Sequence, residues 1–128
     1  MTGTPTLDQK RAAHAWQAAQ RARNESDFDT FATMAKKLPV MIQTSGLGHA
    51  LAFLEGKEKA PELLKALNQW TAEQLRDSSV KNRTLLERVV EGDSGFLIRA
   101  TAEALSYLKW LGRFTEGLEK KAKNGNEK

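Results

Sequence analysis

The sequence predicts an all-α fold, a single-domain bundle of about six helices closed by a long C-terminal helix. Three observations carry that expectation. Apolar side chains recur every three or four residues along most of the chain, no stretch alternates apolar and polar with a period of two, and Gly46, Gly56, Pro61 and Gly92 stand where periodic segments meet. At 128 residues the chain has the length of one domain with one core.

From Leu7 to Arg23, the residues Ala12, Ala15, Trp16, Ala19 and Ala22 form one stripe, and Lys10, His14, Gln17 and Arg21 face the other way. This is the first helix. The segment "NESDFDTF" starts a second: Asn24 or Ser26 can cap it, and Asp27 and Asp29 suit the positive N-terminal end. Its stripe of Phe28, Phe31, Ala35, Leu38 and Ile42 steps by 3, 4, 3 and 4 and stays in phase through Pro39. A proline there removes an N–H and crowds the carbonyl of Ala35, at a cost of about 3 kcal/mol in a free helix. The unchanged phase predicts a kink or a very short break at Pro39. Gly46 stands where a helix end favours positive φ, and Gly48 permits close approach at the start of the next helix.

Leu47, Ala50, Leu51 and Leu54 mark a short third helix that stops near Gly56. Pro61 suits the first turn of a fourth, which carries Leu63, Leu64, Leu67, Trp70 and Leu75 and ends near Arg76. Polar "RDSSVKNR" leads to a fifth with Leu85, Leu86, Val89 and Val90, ending at Gly92. Asp93 or Ser94 then caps the sixth, which runs to about Lys121. Along it Leu97, Thr101, Ala104, Leu108, Leu111, Thr115 and Leu118 form the apolar stripe, with Arg99, Ser106, Trp110 and Arg113 opposite. Phe96, Tyr107 and Phe114 lie on the flank between these faces, so the helix is expected at the centre of the bundle. The ordered core is expected over about 7–121, with residues 1–6 and 122–128 flexible.

Several function classes drop out. No apolar run approaches the roughly 20 residues that span a bilayer, and the N-terminal segment lacks the apolar core of a secretory signal. A cytoplasmic protein without membrane partners is expected. With no cysteine there is no disulfide, thiolate ligand or thiol nucleophile. His14 and His49 stand 35 residues apart and form no pair that shares a helical face, which argues against a metal. The Asp27 and Asp29 carboxylates would diverge by about 200° on a helix and share neither proton nor cation. "SGLGH" lacks the preceding strand and following Lys-Ser/Thr of a phosphate-cradling loop. No catalytic constellation, cofactor or small-molecule substrate is implied, so the chain does not read as an enzyme.

Charge supplies the remaining signal. Lys and Arg number 20 against 16 Asp and Glu, a net +4, which permits a polyanionic partner without requiring one. Lys36 and Lys37 are adjacent just before Pro39, and Arg99 and Arg113 share a face with Trp110. Arginine beside an exposed ring suits a nucleic-acid or protein surface; the alternative for Trp110 is packing against a neighbouring helix. The glycine turn in "QTSGLGHALAFL" also permits a stand-alone helical DNA-binding module, although its second helix would offer bases mainly His49 and Glu55.

The ordered blocks "QKRAAHAW" (Gln9 to Trp16), "AKKLPVMIQTSGLGHALAFL" (Ala35 to Leu54) and "KWLGRF" (Lys109 to Phe114) resemble the small α-helical subunit of the type III-B CRISPR effector, the Cmr complex. The resemblance implies a non-catalytic subunit that stacks in a few copies along a ribonucleoprotein filament. Its implied partners are the backbone and large Cmr subunits, further copies of itself, and guide and target RNA. The RNA-binding candidates it carries over are Arg11, Lys37, Arg99 and Arg113, and Lys10, Lys36 and Lys109 join them on charge alone. Trp110 and Trp70 become candidates for protein contact, and a purely protein-packing subunit stands as the other alternative.

Overall fold

The structure, a computed structural model, describes residues 3–25, 27–57, 60–76 and 83–126, with side chains described as far as Lys120. Six helices follow in order: α1 (Leu7–Glu25), α2 (Phe28–Ser45), α3 (Leu47–Lys57), α4 (Pro61–Gln74), α5 (Leu85–Glu91) and α6 (Ser94–Asn126). Among the described residues there is no strand, and the fold is the all-α bundle expected. α6 touches all five other helices, most extensively α1 and α2, which makes it the central element.

Side-chain size explains the α1–α6 contact. Ala15, Ala18, Ala19 and Ala22 are all buried, and such small residues favour the short end of the roughly 8–10 Å helix separation. From α6, the buried side comprises Ala100, Ala104, Tyr107, Leu108, Leu111, Thr115 and Leu118. The expected stripe therefore holds from Ala104 onward and shifts at its start. Leu97 is 39% exposed and Ile98 69%, because the first turns of α6 meet only a little of the short α5, and Phe96 packs there instead.

α2 runs unbroken through Pro39, which decides against a break. Phe31, Leu38 and Ile42 are buried on either side of it; at roughly 1.5–3 kcal/mol each, their burial outweighs the cost of one proline. Its cap is Asp27, not Asn24 or Ser26. Asn24 still belongs to α1, Ser26 lies outside the described residues, and Asp27 is the extended residue whose carboxylate accepts from the Thr30 N–H (3.3 Å) and hydroxyl (2.8 Å). Gly46 ends α2 at φ 92°, as expected. Gly48 is not needed for close approach: a Cβ there would meet Val89 Cγ1 at an ordinary 3.6 Å.

Pro61 opens α4 as expected. α5 starts on a reciprocal cap in which the Thr84 hydroxyl accepts from the Glu87 N–H (3.2 Å) and the Glu87 carboxylate from the Thr84 N–H (2.8 Å). Asp93 caps α6 through the Phe96 N–H at 2.8 Å. The backbone of α6 is helical to Asn126, past the expected end at Lys121. Most of the polar link, 77–82, lies outside the described residues.

Candidate nucleic-acid interface

α2 and α6 pack side by side and leave a shallow groove of about 250 Å³ between them. Its apolar floor comes from Ala35, Pro39, Leu108 and Gly112, and its rim from Lys36 on α2 and Lys109, Arg113 and one carboxylate, Glu116, on α6. Lys109 and Arg113 are four residues apart and so share one helical face. They also line a second cavity of about 310 Å³ with Asp8, Ser106 and Trp110. The two cations therefore stand on a ridge between adjoining depressions. Lys36 donates to Glu119 at 2.6 Å, and this hydrogen bond raises the Lys36 pKa and keeps the ammonium charged. An exposed pair of this kind is worth about 1 kcal/mol or less, so Lys36 can exchange Glu119 for a phosphate at little cost.

Four sequence candidates therefore converge: Lys36, Lys109, Arg113 and Trp110. Others do not. Lys37 is exposed on α2 outside the groove lining. Lys10 borders a depression with Thr4, Pro5 and Gln9 at the start of α1. Arg99 lies 6.0 Å from the centre of the Phe96 ring, at the far end of α6 from Arg113.

Arg11 is held inside the chain. Its Nε and Nη2 donate to the two Glu103 oxygens (2.6 and 2.9 Å) and its Nη1 donates to Asp8 (2.7 Å). The hydrogen bond to Glu103 raises the Arg11 pKa. Burial by itself pushes Glu103 up, but the hydrogen bonds from Arg11 and Trp70 outweigh it and hold the carboxyl below its ordinary value. Trp70 is not on an outer face. It is 2% exposed and its Nε1 donates to Glu103 at 2.8 Å, because α4 turns this side into the junction with α1 and α6. Behind it, His14 Nδ1 and the buried Tyr107 hydroxyl share a 2.8 Å hydrogen bond, and burial lowers the His14 pKa and raises that of Tyr107.

Trp110, by contrast, is half-buried at the surface. Its Nε1 donates to Asp8 at 3.0 Å, and its ring stacks on Phe114 at 5.6 Å and 24°. Asp8 is held ionised, below its ordinary pKa, first by the Trp110 hydrogen bond and then by Arg11. Among the described residues no group of three or more His, Asp or Glu is placed to hold a metal ion, and no helix is long and apolar enough to cross a membrane.

A family model described as "CRISPR-associated protein (Cas_Cmr5)" matches residues 7–118, nearly the whole helical bundle. The chain belongs to the Cmr5 family. This is the family of the Cmr small subunit that the sequence blocks resemble. The chain is 32% identical over 113 residues to the "CRISPR system Cmr subunit Cmr5" of Thermus thermophilus, covering 88% of this chain and 96% of that protein. The crystal structure of a CRISPR-associated Cmr5 family protein from the same organism superposes with a TM-score of 0.75 at 30% identity, over 89% of this chain and 98% of that one.

Within this Cmr5 fold, sequence reasoning missed three residues of the surface and its support: Asp8, Ser106 and Glu103. The Asp8–Arg11 spacing of three was a usable signal for an ion pair on one helical face. Nothing local marks Glu103, whose partners Arg11 and Trp70 lie 92 and 33 residues away.

Proposed function

We propose that this chain is a non-catalytic structural subunit of a type III-B CRISPR ribonucleoprotein, stacking in copies along the complex and holding the target RNA strand by its backbone in antiviral defence. The observation that carries this is the set of three cations, Lys36, Lys109 and Arg113, around the rim of an apolar groove, on a chain of the Cmr5 family. A strand paired to a guide needs only cations along its phosphates, and several stacked copies multiply a weak contact. The same subunit needs a surface for its protein neighbours. Val90 (73% exposed), Ile98 and Leu97 at the α5–α6 corner supply exposed apolar side chains for the other Cmr subunits or a second copy.

Charge reversal on the ridge tests the RNA role. Lys109→Glu with Arg113→Glu, reconstituted into the complex, is expected to lower target-RNA retention at least about tenfold and to flatten its salt dependence, at roughly 0.7–0.9 of slope per lost phosphate contact. Helical circular dichroism stays normal. Lys37→Glu with Arg99→Glu is expected to cost less, since neither lines the groove. Unchanged retention by the Lys109/Arg113 variant at low salt overturns the assignment.

A further inference from the structure

The second cavity differs from the groove in chemistry. A site for phosphates alone needs cations, whereas this one also presents an indole ring, a carboxylate and a hydroxyl: Asp8, Ser106, Lys109, Trp110 and Arg113. Each matches a different part of a nucleotide. Lys109 and Arg113 suit the phosphate, the indole suits a base plane, and Asp8 and Ser106 can hydrogen-bond a base edge. We propose that this cavity binds one unpaired nucleotide of the RNA strand, its base against Trp110 and its phosphate on Lys109 and Arg113; this rests on the RNA-holding role proposed above.

The nucleotide must be unpaired because a base within a duplex is stacked on both faces and has its pairing edge occupied. Ring, carboxylate and hydroxyl gain a partner only when a base is turned out. At about 310 Å³ the cavity is at the small end of the roughly 300–1,000 Å³ range of ligand sites, which suits one nucleotide and not a longer segment.

The cavity wall is also set in advance. Trp110 Nε1 is bound to Asp8 (3.0 Å), Asp8 to Arg11 Nη1 (2.7 Å), and Arg11 to Glu103 through two hydrogen bonds, while the buried Trp70 donates to the same Glu103 (2.8 Å). A chain of hydrogen bonds thus runs from the core to the indole edge, and Phe114 stacks on the ring. A side chain already ordered loses less entropy on binding, so the stacking energy is retained as affinity. Asp8 also orients the ligand. Its ionised carboxylate repels phosphate and accepts N–H, which directs the phosphate toward Lys109 and Arg113 and the N–H donors of a base edge toward Asp8.

The test uses the full chain in the reconstituted complex, with complementary target RNA across a salt series. Trp110→Leu is expected to weaken binding about tenfold at unchanged salt slope, within the roughly 1–3 kcal/mol of a base–aromatic stack, and Trp110→Phe to retain most of the affinity. Ser106→Leu, which fills the cavity and leaves Trp110 in place, is expected to match Trp110→Leu. One abasic residue is then walked along the RNA. At the position this cavity serves, it weakens the wild-type complex to the Trp110→Leu level and the Trp110→Leu complex no further. Equal abasic costs for both proteins at every position, or normal binding by Ser106→Leu, overturns the nucleotide site. If Lys109→Ala with Arg113→Ala still weakens binding in that case, the RNA-holding role stands without the cavity; if it binds normally as well, both fall.

Discussion

Two regions of the molecule are assembled from the same kinds of side chain and set in opposite surroundings. At the junction of α1, α4 and α6, Arg11, Glu103 and Trp70 meet with every named donor paired and little surface exposed. Along α2 and α6, Lys36, Lys109, Arg113 and Trp110 line open depressions, and the ion pair at that rim, Lys36 with Glu119, is largely exposed. A cation paired in a dry junction holds the bundle together but has nothing left for a ligand. A cation on a wet rim adds little to stability and keeps its charge for a partner.

The largest expected effect is at the junction. Glu103→Ala leaves a mostly buried guanidinium and an indole N–H without their acceptor and should cost about 3–5 kcal/mol, read as a lower urea midpoint. If the loss is under about 1 kcal/mol, the contrast between dry and wet pairs fails.

Acidification should act next, and again at the junction. Burial places the folded His14 pKa below its ordinary 6.5, so the unfolded chain binds the proton first. The stability tied to neutral His14 is complete above pH 6.5 and lost as pH falls toward the lowered folded value. Glu103 follows at lower pH: its contribution is complete above the ordinary 4.5 and lost as pH falls through its depressed folded pKa. Urea midpoints across this range should decline in that order, and His14→Phe should remove the upper step. The smallest effect belongs to the rim, where Lys36→Ala should shift stability by under about 1 kcal/mol while still weakening RNA retention.

The helices were legible because each buries one stripe, and periodicity records that directly. Position along a helix does not record which partner arrives from elsewhere. Trp70 and Trp110 both look like large side chains on amphipathic helices. One is buried where α4 packs against α1 and α6 and meets Glu103 33 residues away, and the other stays at the surface beside Asp8, 102 residues away. Arg11 is the same lesson in a basic residue, since its environment is set by α6. Lys36 and Arg113 were legible as cations, but their shared groove exists only after α2 and α6 pack. Pro39 is a related case: local propensity allowed a break there, and it carries no account of the burial on either side that keeps α2 continuous.

The pairing of α1 with α6 also governs how the chain comes to be folded. α1 finds its most extensive partner in α6, so its alanine face is fully covered only when those two helices meet. The contact between Arg11 and Glu103 closes across 92 residues, and non-local closures of this kind slow folding. Helices α1 to α5 make contacts of their own, but the largest interface of the bundle exists only when α1 and α6 are brought together from opposite ends of the fold.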